Sequence, residues 1–229
     1  MLKKLTQYFT FFRKINTLQF FYLNYFSKKI VRMGKGKLIP YKHAVIELNE
    51  GARVYLNEAD IEIGCDRPKH SKTETIVRLL KNAVWTEMEG CKISYGCTVE
   101  ILQDAELNSR YFTMNCNSVI VAAHKICLGH DVMIGRNVII YDSDFHQILD
   151  SDNEVINPSK EVVIGDHVWL GVNTTILKGS VVESGCIIGA NASVSGRIPK
   201  DTMYWNERQR CEKRNFARWS RTFPESGQR

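Results

Sequence analysis

Residues 164–194 read IGDHVWLGVNTTILKGSVVESGCIIGANASV, and an aliphatic residue returns at every sixth position of this stretch. A small or β-branched residue follows four places after each of them. The aliphatic positions are Ile164, Leu170, Ile176, Val182, Ile188 and Val194, and the offset positions are Val168, Thr174, Ser180, Cys186, Ala192 and Ile198. A fixed period of six fits neither an α-helix nor an alternating strand, and it indicates a solenoid.

This period predicts short strands joined by tight turns around a prism. Each flat face then becomes a parallel sheet, with coils about 4.8 Å apart and the aliphatic residues stacked in one continuous core. The same phase recurs upstream at Leu128, Ile134 and Ile140. The corners of such a stack accept only small side chains, which explains the glycines that follow the aliphatic positions. We therefore expect an all-β solenoid, a parallel β-helix shaped as a triangular prism.

Two stretches carry a family resemblance. Residues 128–139 (LGHDVMIGRNVI) and 163–194 are similar to the left-handed β-helix of the hexapeptide acyltransferases. The resemblance implies a left-handed coil, which is an exception to the usual right-handed crossover between parallel strands.

The charge of the chain is distributed unevenly along its 229 residues. Residues 1–46 hold ten Lys and Arg and no acidic residue, whereas residues 47–196 hold 12 basic and 21 acidic residues. The net charge of +6 and the pI of about 8.9 therefore come from the two ends, which argues against a nucleic-acid binder. The seven cysteines form no C-x-x-C pair, which indicates buried thiols and a reducing compartment.

We expect one solenoid with a segment on either side. Residues 1–43 are predicted to form a basic, aromatic helical cap or a membrane-surface segment. Residues 44–199 form the acyltransferase β-helix, with loop excursions at 66–83 and 141–163. Residues 200–229 contain helix-forming Glu, Arg, Gln and Lys, and they are expected to form a C-terminal helix on the last coil.

Nine aromatic residues lie in the first 26 positions, interleaved with lysine and arginine. Polar residues interrupt them, so neither a signal peptide nor a spanning helix of about 20 apolar residues is predicted there. One interpretation is a pair of helices lying on anionic lipid, and the other is a cap on the open end of the solenoid. The two are compatible. The expected location is cytoplasmic, and it is peripheral at the inner face of the cytoplasmic membrane if this segment binds lipid.

The candidate catalytic residue, His146, lies in an interruption between two regular runs of the repeat. This interruption spans residues 141–163 and reads YDSDFHQILDSDNEVINPSKEVV. An aspartate-rich stretch that ends in His and precedes an IG-x-x-V-W-L-G coil resembles the acetyl-CoA-dependent O-acetyltransferases of sugars. By that resemblance His146 is the catalytic base. An imidazole with a pKa near 6.5 can take the proton of a sugar hydroxyl as that hydroxyl attacks a thioester.

The surroundings of His146 leave two alternatives open. Asp142 or Asp144 could orient the imidazole, or both are solvated carboxylates in turns. The hexad phase from Ile140 would place His146 inside the prism, so we predict that the coil leaves its register at Asp142–Asp144. The alternative is a buried core histidine.

Further site residues follow from the same resemblance. Asn115, in the MNCN stretch at 114–117, matches an Asn that holds the acceptor and the developing oxyanion in maltose and galactoside acetyltransferases. The pantetheine arm of acetyl-CoA is expected in a groove between subunits, beside small residues of the late coils. The candidates for this groove are Trp169, Gly171, Ala190 and Ser195. The residues that usually end the family motif are absent from this sequence. The positive charge that they supply could come instead from Arg197, Lys200, Arg208 or Arg210.

The resemblance therefore implies a trimeric acetyl-CoA-dependent O-acetyltransferase of a bacterial surface polysaccharide or its precursor. No metal and no nucleic acid are expected. One alternative is an N-acetyltransferase of a nucleotide-linked amino sugar. Two others are a γ-type carbonic anhydrase, for which His124, His130 and His146 would be the zinc ligands, and a β-helix without catalytic activity.

Overall fold

Three parallel sheets wind around one apolar core in the computed structural model, which describes residues 11–206 and the backbone of residues 207 and 210–215. Each coil contributes one strand to each sheet in turn. Ile164 therefore pairs with Val182, and Leu170 pairs with Ile188. All twelve positions of the repeat at residues 164–198 are buried. The predicted parallel β-helix is confirmed.

Sheet 1 consists of β1 (Ile30–Arg32), β4 (Arg53–Leu56), β7 (Val84–Glu87), β10 (Glu106–Ser109), β13 (Lys125–Leu128), β16 (Val162–Ile164), β19 (Val181–Val182) and β22 (Arg197–Ile198). Sheet 2 consists of β2 (Leu38–Pro40), β5 (Ile61–Cys65), β8 (Cys91–Ser94), β11 (Phe112–Met114), β14 (Val132–Ile134), β17 (Trp169–Leu170), β20 (Ile187–Ile188), β23 (Thr202–Glu207) and β24 (Arg210–Asn215). Sheet 3 consists of β3 (Ala44–Leu48), β6 (Thr75–Leu79), β9 (Thr98–Ile101), β12 (Val119–Ala122), β15 (Ile139–Tyr141), β18 (Thr175–Ile176) and β21 (Ser193–Val194).

The sheets meet at three edges, which we call edge 1/2, edge 2/3 and edge 3/1 after the sheets that each edge joins. Left-handed backbone conformations occur at the turns of these edges. On edge 2/3 they are adopted by Asn117, Asn137, Asn173 and Asn191, with φ between 55° and 61°. Asn tolerates this region better than most residues. The side-chain amides of the last three also form a ladder, with N to O distances of 3.1 and 3.0 Å.

The N-terminal end of the prism carries short helical elements. Residues 11–14 are helical, α1 (Thr17–Phe21) follows, and one π-helical turn spans Tyr22–Phe26. Leu23 enters the main core. The buried Asn24 amide donates to the Leu38 carbonyl at 2.7 Å and accepts from the Leu38 N–H at 3.0 Å, so it satisfies the backbone of β2. None of the helices in residues 11–207 is long and apolar enough to span a membrane.

Several predicted boundaries are wrong. In the described part of residues 200–229, two strands replace the expected C-terminal helix: β23 continues sheet 2 in parallel and β24 pairs with it antiparallel. Residues 216–229 of the predicted helix lie outside the described residues. The open sheet edge offers backbone partners to a segment rich in Thr, Tyr and Trp, and tertiary context outweighs the helix formers. The excursion predicted at 66–83 ends earlier, because β6 begins at Thr75. The coil also begins at Ile30, inside the segment predicted as a cap.

Candidate active site

Residues 142–161 leave the coil between β15 and β16, at edge 3/1, and Asp142 closes the base of this loop. Its fully buried carboxylate accepts the N–H groups of Ala123, His124 and Lys125 at 2.7, 2.8 and 2.6 Å. The Lys160 N–H donates to the Asp142 carbonyl at 2.9 Å. Asp142 is therefore a buried structural anchor, and neither a solvated turn carboxylate nor a partner of the imidazole.

His146 lies on this loop and is exposed, so the predicted departure from the hexad register is confirmed. The loop holds His146 through its backbone. Its N–H donates to the Asp144 carbonyl at 2.7 Å, and the Asn157 amide donates to the His146 carbonyl at 2.8 Å. Both of these hydrogen bonds use backbone atoms of His146, and the residue is exposed at the surface.

Asp144 has a different partner from the one expected. Its carboxylate receives the Lys178 ammonium at 2.5 Å and the Asn157 amide at 2.9 Å. These hydrogen bonds, from Lys178 first and Asn157 second, lower the pKa of Asp144. Lys178 also donates to the Asn157 carbonyl at 2.9 Å. Asp144 thus fixes the loop to the next coil.

Sequence reasoning missed Lys178 and Asn157. Lys178 lies in an ordinary turn of the repeat, directly after Leu177, and Asn157 lies in the irregular loop. Neither residue stands at an aliphatic or small-residue position of the hexad pattern, so the repeat does not identify them. Only the path of the loop back to the coil brings Asn157 and Lys178 together with Asp144.

Asn115 lies on edge 2/3, directly after β11, and is exposed. Its side-chain amide donates one hydrogen bond to the Ile134 carbonyl at 3.0 Å. An amide nitrogen carries two hydrogens, so a second donor is left. His146 projects from edge 3/1. The two candidate residues are therefore on different edges of the prism, and a single protomer does not bring them together.

The candidate pantetheine residues divide between the same two edges. Trp169 lies in β17, with 38% of its surface exposed, and Gly171 and Ala190 follow on edge 2/3 in successive coils. A Cβ atom on Gly171 would lie 2.7 Å from the Ala190 nitrogen, so the close approach of these coils requires glycine. Ser195 lies on edge 3/1, the edge of the His146 loop, and is exposed.

The described candidate cations at the end of the motif, Arg197 and Lys200, both contact Glu183. Arg197, in β22 of sheet 1, forms an ion pair with Glu183. Glu183 also accepts the backbone N–H of Lys200 at 2.8 Å. Arg208 and the side chain of Arg210 lie outside the described residues.

The three histidines weighed as zinc ligands do not lie together in one protomer. His124 lies on edge 3/1, whereas His130 lies on edge 1/2, where its Nδ1 contacts the carboxylate of Glu89. No group of three His, Cys, Asp or Glu side chains in the described part of the chain could hold a metal ion. The described cysteines are free thiols, and all are buried except the half-buried Cys127.

The model of the bacterial transferase hexapeptide family, with six repeats, matches residues 161–196. The putative lipopolysaccharide biosynthesis O-acetyltransferase WbbJ of Escherichia coli K12 is 36% identical over 93 residues, covering 37% of this chain and 47% of that protein. The polysialic acid O-acetyltransferase of Neisseria meningitidis is 37% identical over 90 residues, covering 39% of each. The solved structure of the polysialic acid O-acetyltransferase OatWY has 24% identity and a TM-score of 0.58, covering 86% of this chain and 93% of that chain.

Together, the repeat and the three-sheeted prism define the class: the chain is a hexapeptide-repeat protein with a left-handed β-helix. The particular proteins that it resembles are bacterial O-acetyltransferases of polysaccharides. The chain spans less than half the length of these two curated relatives.

Proposed function

We propose that the protein is an acetyl-CoA-dependent O-acetyltransferase that acetylates a sugar hydroxyl of a bacterial surface polysaccharide or its precursor. One observation carries the proposal: a loop anchored by the buried Asp142 projects an exposed His146 from the coil just before Trp169. Relatives with named activities support it, because they are O-acetyltransferases of lipopolysaccharide biosynthesis and of polysialic acid.

In the proposed mechanism, His146 acts as a general base. Its neutral imidazole accepts the proton of the sugar hydroxyl as the oxygen attacks the thioester carbonyl carbon. The tetrahedral oxyanion is stabilised by the remaining amide N–H of Asn115. Collapse of the intermediate breaks the carbon–sulfur bond, and the coenzyme A thiolate takes the proton from the imidazolium. The products are an ester and a free thiol, and no acyl-enzyme forms.

The placement of the two residues favours a site shared between subunits. Since His146 is on edge 3/1 and Asn115 is on edge 2/3, a ring of protomers can bring one edge of each against the other edge of its neighbour. We propose a homotrimer with three such grooves. The pantetheine arm of acetyl-CoA then lies along Trp169, Gly171 and Ala190 of one subunit and meets Ser195 of the next.

The N-terminal segment is proposed to contact the membrane as well as cap the prism. Large apolar side chains are exposed there, with 85% of Leu18, 60% of Tyr22 and 75% of Phe26 accessible. Lysines and arginines lie among them in the sequence, and such a mixture suits the surface of an anionic bilayer. This contact would hold the enzyme near a lipid-linked precursor at the inner face of the cytoplasmic membrane.

The test of the activity is transfer from acetyl-CoA to purified surface glycans, measured by thiol release and by labelling of the glycan. His146→Ala should lower turnover by about 10² to 10⁴ while coenzyme A binding, followed by calorimetry, is retained. The control is His130→Ala, which removes an exposed histidine from edge 1/2 and should keep normal turnover. The label should be released by mild alkali, as expected for an ester.

Two results would contradict this function. Turnover by His146→Ala at nearly the level of the unaltered protein would remove the proposed base. An alkali-stable label would indicate an amide and would favour an N-acetyltransferase of an amino sugar.

A further inference from the structure

Asn157 lies at the centre of the hydrogen-bond network around His146. Its side-chain nitrogen donates to the Asp144 carboxylate at 2.9 Å and to the His146 carbonyl at 2.8 Å. Its side-chain oxygen accepts the Ile148 N–H at 2.6 Å. Both hydrogens of the amide nitrogen are therefore used, together with one acceptor site of the oxygen. One side chain thus holds the first half of the loop on both sides of His146.

Lys178 joins this network to the coil that follows the loop. It lies on edge 3/1, in the turn between β18 and β19. Its ammonium donates to the Asp144 carboxylate at 2.5 Å and to the Asn157 carbonyl at 2.9 Å. Among the residues that the structure describes, Lys178 is the only one outside the loop that forms a hydrogen bond with residues 144–158. The middle of the loop is therefore fixed to the prism by one side chain.

The Lys178 ion pair differs from the other ion pairs of the protein in its burial. Only 19% of the Lys178 side chain is exposed, the lowest value among the ion-paired cations in the described part of the chain. Exposed pairs gain little because solvent screens them and both side chains lose freedom. A largely buried ammonium with two acceptors has less freedom to lose, so Lys178 is suited to hold the loop in one geometry.

The same ion pair neutralises the carboxylate two residues before His146. Hydrogen bonds from Lys178 first and Asn157 second lower the pKa of Asp144, so this group is ionised at neutral pH. Lys178 is the one charged side chain in the described residues that acts on it. Asp142, the other carboxylate at the start of the loop, is buried on three backbone N–H groups. An unpaired carboxylate at Asp144 would favour the imidazolium form, which cannot accept a proton.

We infer that Asn157 and Lys178 are positioning residues of the acetyl transfer. Asn157 holds the backbone of His146, and Lys178 fixes this assembly to the coil while its charge offsets that of Asp144. This inference rests on the proposed O-acetyltransferase function. Both residues act on the reaction through His146, and neither is assigned a proton transfer.

The competing explanation is that these contacts only keep the loop folded. The two ends of the loop are held without either side chain, because the Lys160 N–H donates to the Asp142 carbonyl at 2.9 Å and the Gly179 N–H donates to the Lys160 carbonyl at 3.2 Å. The next strand, β16, then returns to the core with Val162 and Ile164. Loss of the Lys178 ammonium should therefore leave the prism intact and change only the setting of His146.

The charge of Lys178 is tested by the reaction of His146 with diethyl pyrocarbonate, followed by peptide mass spectrometry across pH on the full chain. The reagent modifies neutral imidazole, so its pH midpoint reports protonation of His146 without any acceptor. Lys178→Met should raise this midpoint by about half a pH unit, the effect of one charge at roughly 7 Å in water. Adding Asp144→Asn should restore it, and Lys178→Arg should keep it. The control is Lys125→Met, which breaks the ion pair with Glu161 at the end of the same loop and should leave the midpoint unchanged.

The role of Asn157 is tested by turnover with the glycan that the unaltered protein acetylates. Asn157→Ala should lower kcat by about tenfold to a hundredfold, because the base is displaced, and should leave the KM for acetyl-CoA and the thermal stability nearly unchanged. Gln147→Ala removes an exposed amide from the same loop and should keep normal turnover. The two residues are tested separately, so the inference does not depend on tolerance of a change at Lys178.

An unshifted midpoint in Lys178→Met would overturn the role of Lys178, and an unaltered kcat in Asn157→Ala would overturn that of Asn157. A fall in thermal stability with an unshifted midpoint would assign Lys178 to the fold alone and would equally overturn its role. The expected shift in a protein that transfers acetyl to no glycan would contradict the proposed function alone. An unshifted midpoint in a protein whose turnover depends on His146 would contradict the inference alone.

Discussion

At the scale of single residues, Glu87 is the most unusual titratable group in the core. It is 1% exposed, and it lies in a chain of hydrogen bonds in which the Trp85 indole donates to the Ser109 hydroxyl at 2.9 Å and Ser109 donates to Glu87. Burial raises the pKa of Glu87 to about 8. At neutral pH the folded protein therefore holds this carboxyl mainly in its protonated form.

A pH dependence of stability follows from this shift. Between about pH 5 and pH 8 the unfolded chain releases the Glu87 proton while the folded chain keeps it, so the free energy of unfolding should fall by about 1.4 kcal/mol per pH unit from this group. The contribution is complete below the unfolded pKa and is lost as the pH rises to about 8. Glu87→Gln should remove this part of the slope in urea unfolding, whereas Glu106→Gln, at an exposed position, should keep it. Equal slopes in the unaltered protein and Glu87→Gln would contradict the assignment.

How far the site could be predicted also differs between residues. The position of His146 outside the prism could be predicted, because an inward place in the hexad is incompatible with a base. The roles of Asp142 and Asp144 could not, because each depends on hydrogen bonds to residues far away in the chain. Asp142 binds the backbone at 123–125, and Asp144 binds Lys178.

At the scale of elements, the repeat itself was predictable and its interruptions were not. Every hexad position from Ile164 to Val194 is buried, since a six-residue period allows only one packing. The β23–β24 hairpin could not be predicted in the same way. Its strands form because sheet 2 presents an open edge, and that edge exists only once the coils are stacked.

The N-terminal helical element allows a direct test of membrane contact. Leu18 and Phe26 are exposed and lie outside the core, so Leu18→Ser combined with Phe26→Ser should keep the thermal stability of the protein. The same change should abolish sedimentation with phosphatidylglycerol vesicles, because it removes apolar area that would enter the bilayer interface. The comparison is Ile148→Ser, which alters an exposed apolar residue of the His146 loop and should leave sedimentation unchanged. Vesicle binding that persists in the double variant would contradict a contact through this element.

At the scale of the whole molecule, the separation of His146 and Asn115 can be tested by mixing subunits. His146→Ala and Asn115→Ala should each be nearly inactive alone. If the site lies between subunits, co-expressed and randomly mixed trimers should contain one intact site for about every four grooves, and activity should recover to about a quarter. Sedimentation should give a trimer in every case. No recovery on mixing, or an active monomer, would contradict a shared site.

Sheet 2 has no strand edge free for parallel pairing at either end, and this affects how molecules associate at high protein concentration. Stacked parallel strands are the architecture of a fibre, and an uncovered terminal coil would template the next molecule. At one end the Asn24 amide occupies the N–H and C=O of Leu38 in place of another strand. At the other end β24 runs in the opposite direction, with the charged sequence RCEKRN, and interrupts the parallel stacking. These two terminators should therefore prevent further molecules from stacking on sheet 2 at either end.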